Sequence, residues 1–227
     1  GAPRDLHSFP TRRSSDLHPK HPLARRVRGF LPVVIDVETG GFNPQTDALL
    51  EIAAVILDIN SDGLLVPGET IHAHVKPFAG ANIEQAAKDF LGYDPYSQLR
   101  LAIDEKLAME QIFTPIQKRV KETGCTRAIL CGHNAFFDLS FVKAAAERNK
   151  LKCPFHQFST LDSVTLGALV YGQTVLAKAA MFSGMSWDNH QAHGALYDTQ
   201  KTAELFCSIF NRYPLPVIDA INRHEKP

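Results

Sequence analysis

The sequence predicts an α/β fold with a mixed central sheet and helices on both faces, and three observations carry that expectation. β-branched apolar runs crowd the first third of the chain. Helical periodicity and alanine-rich stretches dominate the remainder, and a short apolar run sits between two of them. Strands in succession, then helix and strand in alternation, is the order expected of a mixed-sheet α/β domain.

Pro32–Glu38, Leu49–Ile59 and Thr70–Lys76 read as strands, divided by the turn signals "NPQTD" and "NSDG". Ile103, Leu107, Ile112, Ile116 and Val120 mark a helical stripe that Gly124 ends. Ala128–Cys131 reads as a short buried strand, and Phe141–Lys150 as an alanine-rich helix. Thr174–Phe182 and Gly194–Asn211 complete the expected helices, and the Pro-interrupted tail after Tyr213 reads as loose.

A length of 227 residues suits one large domain, or one domain with extensions. Residues 1–24 are expected to be a non-native or disordered extension, 25–213 the working domain and 214–227 a tail. The stretch "SFPTRRSSDL" (8–17) has the Arg and Ser content of a transit peptide, but it also resembles the translation of a widely used sequencing adapter, so residues 1–17 are expected not to be native. No run of about 18 apolar residues points to a membrane span. Cys125, Cys131, Cys153 and Cys207 show neither C-x-x-C nor zinc spacing, and read as reduced core thiols of a cytoplasmic protein. Lys plus Arg and Asp plus Glu both total 24, so any polyanion-binding surface must be a local patch.

Within "VVIDVET", Asp36 and Glu38 stand two apart in an apolar run. Strand side chains alternate, so both carboxylates leave the same face of a buried strand. Unpaired charge there is expensive. A lone D-x-E fits either a salt-bridged structural pair or a metal site. "HNAFFD" adds Asp138 after a buried strand, where a helix N-cap is the simpler explanation. "HGALYD" adds His193 and Asp198. Five residues apart on a helix they cannot share a face, so a common site needs His193 on a loop or frayed turn. Taken alone, such a histidine is more often a cap or a solvated loop residue. Together the four carboxylates and one histidine favour oxygen-preferring Mg²⁺ or Mn²⁺. Two such ions about 4 Å apart serve in-line phosphodiester cleavage. Without metal, one of the Asp36–Glu38 pair is expected to titrate upward.

"VIDVET", "HNAFFD" and "HGALYD", in that order, resemble the three motifs of the histidine-type DEDD exonuclease superfamily. From about Arg28 to Tyr213 the chain is similar to the bacterial ribonuclease T family, notably in "HNAFFDLSFVKAAAERNKLK" and "GQTVLAKAAMFSGM". That resemblance implies a ribonuclease H-like fold, a homodimer and two Mg²⁺ ions for which Mn²⁺ substitutes. It also implies 3′→5′ trimming of tRNA and rRNA ends, digestion of single-stranded DNA, and no membrane partner. Asp36, Glu38, Asp138 and Asp198 match the family's metal ligands, and His193 its general base. Asp162 matches an aspartate near the site and is equally an N-cap. Phe42, Phe90, Phe137 and Phe158 match phenylalanines that stack on terminal bases, although Phe137 and Phe158 fit a core as well. Arg26, Arg28, Lys121, Arg127 and Lys152 match a basic patch that feeds RNA to the partner subunit; as bare sequence, such charge runs are more often solvated faces. A family glutamate is replaced here by Ala86, with Glu84 nearby, which implies a weaker block at 3′-terminal cytosines. Competing readings are oligoribonuclease, a polymerase proofreading subunit, and an RNA-binding module without activity.

Overall fold

The structure, a computed structural model, describes residues 21–192 and 194–214. Its five-stranded sheet comprises β1 (Phe30–Thr39), β2 (Leu49–Ile59), β3 (Leu65–His74), β4 (Arg127–Gly132) and β5 (Phe155–Asp162) in the order β3-β2-β1-β4-β5. β2 runs antiparallel to both its neighbours, whereas β1, β4 and β5 are parallel. The expected mixed sheet is therefore present. β1 and β2 are apolar and buried almost throughout, as strands covered on both faces must be.

The cover comes from α3 (Glu105–Thr123), which packs against β1 to β4, from α4 (Ala135–Arg148) against β1, β4 and β5, and from α7 (Ala195–Phe210) across β1 to β3. Around them lie α1 (Pro22–Arg26), α2 (Gln85–Leu91), α5 (Ser163–Tyr171) and α6 (Leu176–Phe182). α5 and α6 meet α7 in a small separate core around Ala179, Leu205 and Ile209. Among the described residues no single helix is long and apolar enough to cross a membrane.

Several elements differ from the sequence expectation. β3 begins at Leu65 rather than Thr70 because "VPGE" reads as a turn, yet edge strands tolerate such residues. Gly68 is needed there: a Cβ would stand 2.5 Å from the Ile56 carbonyl, beside the register shift between Val55 and Leu57. β5 has a mostly exposed pattern, so no apolar alternation announces it. In α3 the buried face is Ala108, Met109, Ile112, Phe113 and Ile116, while Leu107 is exposed. α4 starts at Ala135, well before Phe141, which places Asp138 in its first turn. The packed domain also starts before Arg25, since Leu23 of α1 is fully buried.

Candidate active site

β1 is paired with β4 only as far as Val34 opposite Cys131. Beyond that point its edge is left to other partners, and the Asp138 side chain takes one of them: its Oδ1 accepts the Val37 N–H at 3.0 Å. Gly132 and Asn134 make this approach feasible. A Cβ at Gly132 would crowd the Ile35 carbonyl at 3.0 Å, and Asn134 takes a left-handed turn (φ 66) into α4. Asp138 is thus not the N-cap, a position that Asn134 occupies. It is a buried carboxylate held between Asp36 and Glu38 by the strand they flank.

Asp198 enters from the first turn of α7. Its charge acts on both Asp36 and Glu38, so the fold brings four of the five expected catalytic side chains to one place. The fifth, His193, lies outside the described residues. Burial, and then the charges of Asp138, Glu38, Asp198 and Glu51, hold the Asp36 carboxyl well above its ordinary range. Glu38 is pushed up to about 8 by burial and then by Glu51, Asp198 and Asp138. Burial also raises Asp138 to about 8, against the hydrogen bond from Val37. The expectation of one elevated carboxyl is exceeded: three rise. Among the described residues, the neighbouring charges that shift Asp36 and Glu38 are all negative. Such a set of oxygen donors fits hard divalent cations, whose charge would offset the repulsion.

Asp162 acts mainly as a double cap. It accepts from the N–H groups of Asn134 (3.2 Å) and Ala135 (3.0 Å) at α4, and of Val164 (2.8 Å) at α5. It positions the α4 start and adds its charge to the field at Asp138.

The phenylalanines divide by exposure. Phe42 and Phe158 are each 81% exposed and Phe90 60%, whereas Phe137 is half-buried. Phe137 links exposed Phe42 (6.1 Å between ring centroids) to core Phe141 (5.0 Å), one residue from Asp138. Phe158 stands on β5 against His156 at 4.6 Å. The Phe42 loop is held by buried Asp47, which accepts from the Asn43 N–H, the Thr46 hydroxyl and the Asn82 amide. Gly41 must be glycine, because a Cβ there would collide with Asp47.

The basic patch is only partly as expected. Arg26 is 8% exposed; its Nη2 donates to the Phe210 and Tyr213 carbonyls at 2.7 and 2.8 Å, and its guanidinium lies over the Phe210 ring. Its charge clamps the end of α7 to α1 and does not face solvent, which removes it from the patch. Arg28 is exposed beside Phe30. Lys121, Arg127 and Lys152 do converge, with Lys143, on a groove of about 1100 Å³. Arg127 opens β4, whereas Asp36 and Glu38 lie on β1 beyond the last residue paired with β4; the groove itself extends along α4 to Lys143, five residues from Asp138.

Three polar residues beside the carboxylates went unread in the sequence: Glu51, His72 and His74. Glu51 faces Glu38 directly across β1 and β2, and His74 faces Glu51 across β2 and β3. The "HAH" alternation in an apolar strand was the available signal.

Residues 33–206 match the exonuclease family typified by RNase T. A ribonuclease T of Hahella chejuensis is 59% identical over 200 residues, covering 88% of this chain and 92% of that protein. A ribonuclease T of Vibrio cholerae serotype O1 is 58% identical over 193 residues, covering 84% and 86%. Among solved structures, exonuclease I superposes with a TM-score of 0.62 at 18% identity, covering 87% of this chain but only 44% of that one. A 3′-exonuclease that recognises a histone mRNA stem-loop gives 0.61 at 17% identity, covering 80% and 63%.

Proposed function

The chain belongs to the RNase T family of exonucleases, and on that premise we propose that it is a 3′→5′ exoribonuclease that trims single-stranded 3′ ends of tRNA and other stable RNAs and also digests single-stranded DNA. The observation that carries the chemistry is the buried cluster of Asp36, Glu38 and Asp138, joined by Asp198, whose carboxylates raise one another's protonation among the described residues. Asp36, Glu38, Asp138 and Asp198 would hold two Mg²⁺ ions, with Mn²⁺ as a substitute. When bound, the ions supply Lewis-acid polarisation and charge neutralisation for phosphodiester hydrolysis to nucleoside 5′-monophosphates.

The chain's own residues do the rest. Asp138 fixes the pocket by joining α4 to β1 through the Val37 N–H. We assign His193 as the general base that takes a proton from water, a role that suits histidine as a residue type. Phe42 backed by Phe137, with Phe90 and Phe158, offers faces on which terminal bases stack in any sequence. Lys121, Arg127 and Lys152 line a groove at the start of β4, and we assign them, with Arg28, to RNA entering a partner subunit's site in a homodimer. The working domain is assigned to residues 25–213, extended back to α1, and the setting to the cytoplasm.

The test is digestion of an RNA duplex with a short single-stranded 3′ overhang, in parallel with di- to pentanucleotides. Faster release from the overhang of the duplex RNA is expected. Activity confined to the shortest oligonucleotides would replace this reading with that of an oligoribonuclease.

A further inference from the structure

From the geometry of Glu51, His72 and His74 we infer a transition-metal site, of the kind that takes Zn²⁺, separate from the carboxylate cluster and beside it. The three residues occupy neighbouring strand positions on one side of the sheet: His74 is directly opposite Glu51, and His72 is two residues back on the same face. His72 Nε2 is 2.7 Å from one Glu51 oxygen, and His74 Nδ1 is 3.8 Å from the other. One ligand atom from each lies within 4.8 Å of the rest. A tetrahedral ion with bonds of about 2.0–2.2 Å separates its ligand atoms by roughly 3.4 Å, so small side-chain rotations close the set.

A further feature singles out an ion rather than a simple ion pair. His74 Nδ1 is buried and has no hydrogen-bond partner among the described residues, although it points at Glu51 from beyond hydrogen-bonding range. An unpaired buried ring nitrogen is costly, and a shared cation would satisfy it. The ring planes of His72 and His74 meet nearly edge-on, 4.7 Å apart and at 79°, so they do not stack across the gap.

The donor chemistry separates this site from its neighbour. Two imidazoles and one carboxylate form the three-ligand set of an open zinc site, whereas the Asp36–Glu38–Asp138 group is all oxygen and suits Mg²⁺. Access is available, since the His72 and His74 side chains are 25% and 35% exposed while Glu51 is 7% exposed. Glu51 is shared by both neighbourhoods: it faces Glu38 in the strand register and contributes to the field there. The inference does not depend on the nuclease reading.

The test uses the full chain, stripped of metal and then held in excess Mg²⁺ to occupy the oxygen-rich group. Zn²⁺ is titrated and its stoichiometry measured by elemental analysis, and Co²⁺ is titrated as a spectroscopic probe. The expected result is one Zn²⁺ per chain and the ligand-field absorption of four-coordinate Co²⁺. His74→Gln and His72→Gln should each weaken binding by at least about tenfold, while Asp138→Asn leaves it unchanged. Circular dichroism identifies any variant that fails to fold, in which case the wild-type cobalt spectrum and the remaining histidine variant decide. No zinc bound in excess Mg²⁺, unchanged binding in a folded histidine variant, or loss of zinc in Asp138→Asn would each overturn the site.

Discussion

Asp36 and Glu38 were legible because a strand's alternation is strict: two carboxylates at i and i+2 must share a face whatever the surrounding fold. Glu51 was not, because its position opposite Glu38 is a fact of strand register that no local pattern encodes. The charge balance has a direct consequence for stability. The Glu38 and Asp138 carboxyls rise from ordinary values of 4.5 and 3.8 to about 8 in the folded chain. Between those limits the folded state holds more protons than the unfolded one, so stability falls as pH rises through that window. The metal-free protein should therefore melt at a lower temperature at pH 8.5 than at pH 5.5, and Mn²⁺ should raise the melting temperature more at the higher pH. A flat profile, or an equal metal effect at both values, would show that these groups are not buried together. At the same scale, Phe42→Ala and Phe158→Ala should each weaken single-strand binding by about 1–3 kcal/mol, measured by fluorescence anisotropy on a labelled oligonucleotide. Unchanged affinity in both would remove the stacking role.

Helices and strands sort the basic residues in a way the sequence could not. A run of arginines looks like a surface patch until packing shows which of them are enclosed. Arg26 ties α1 to the end of α7. Arg148, next to two exposed lysines in sequence, forms a two-pronged ion pair with buried Glu105 at 2.7 and 3.0 Å and lies 4.0 Å over the Phe78 ring. It also donates to the Pro44 carbonyl, so it joins both ends of the α3–α4 pair to the Phe42 loop. Arg148→Ala leaves Glu105 enclosed with, among the described residues, the Asn149 amide to donate to it, and should cost about 3–5 kcal/mol in urea unfolding. Lys150→Ala, on the surface, should change stability by no more than about 0.5 kcal/mol. Equal, small effects would make Arg148 a surface charge after all. The same blindness explains β5: an edge strand with exposed side chains carries no apolar rhythm, and only its parallel pairing with β4 defines it.

Across the whole molecule, the fold class followed from the chain's order of strands and helices and the three motifs from their own residues, whereas the gathering of Lys121, Arg127 and Lys152 at the start of β4 emerged only from the fold. That gathering makes a dimer prediction. Asp138→Asn chains mixed with Lys121→Ala/Arg127→Ala chains should recover part of the lost activity, because one composite site in each mixed dimer is intact. No recovery, with mixed dimers shown to form, would place the groove's action in its own subunit or nowhere. The central claim is that the clustered carboxylates work as a divalent-metal centre removing nucleotides from a 3′ end. The most direct measurement is a time course on 5′-labelled single-stranded RNA, with the metal-stripped protein and with Mg²⁺ restored, alongside Asp138→Asn. Asparagine keeps the oxygen that accepts the Val37 N–H but removes the charge, so this variant should fold. The account predicts a ladder shortening one nucleotide at a time only when Mg²⁺ is present, with 5′-monophosphates released, and a rate lower by about 10²–10³-fold in the variant. Undiminished digestion by folded Asp138→Asn, or by the stripped wild type without added metal, would contradict it.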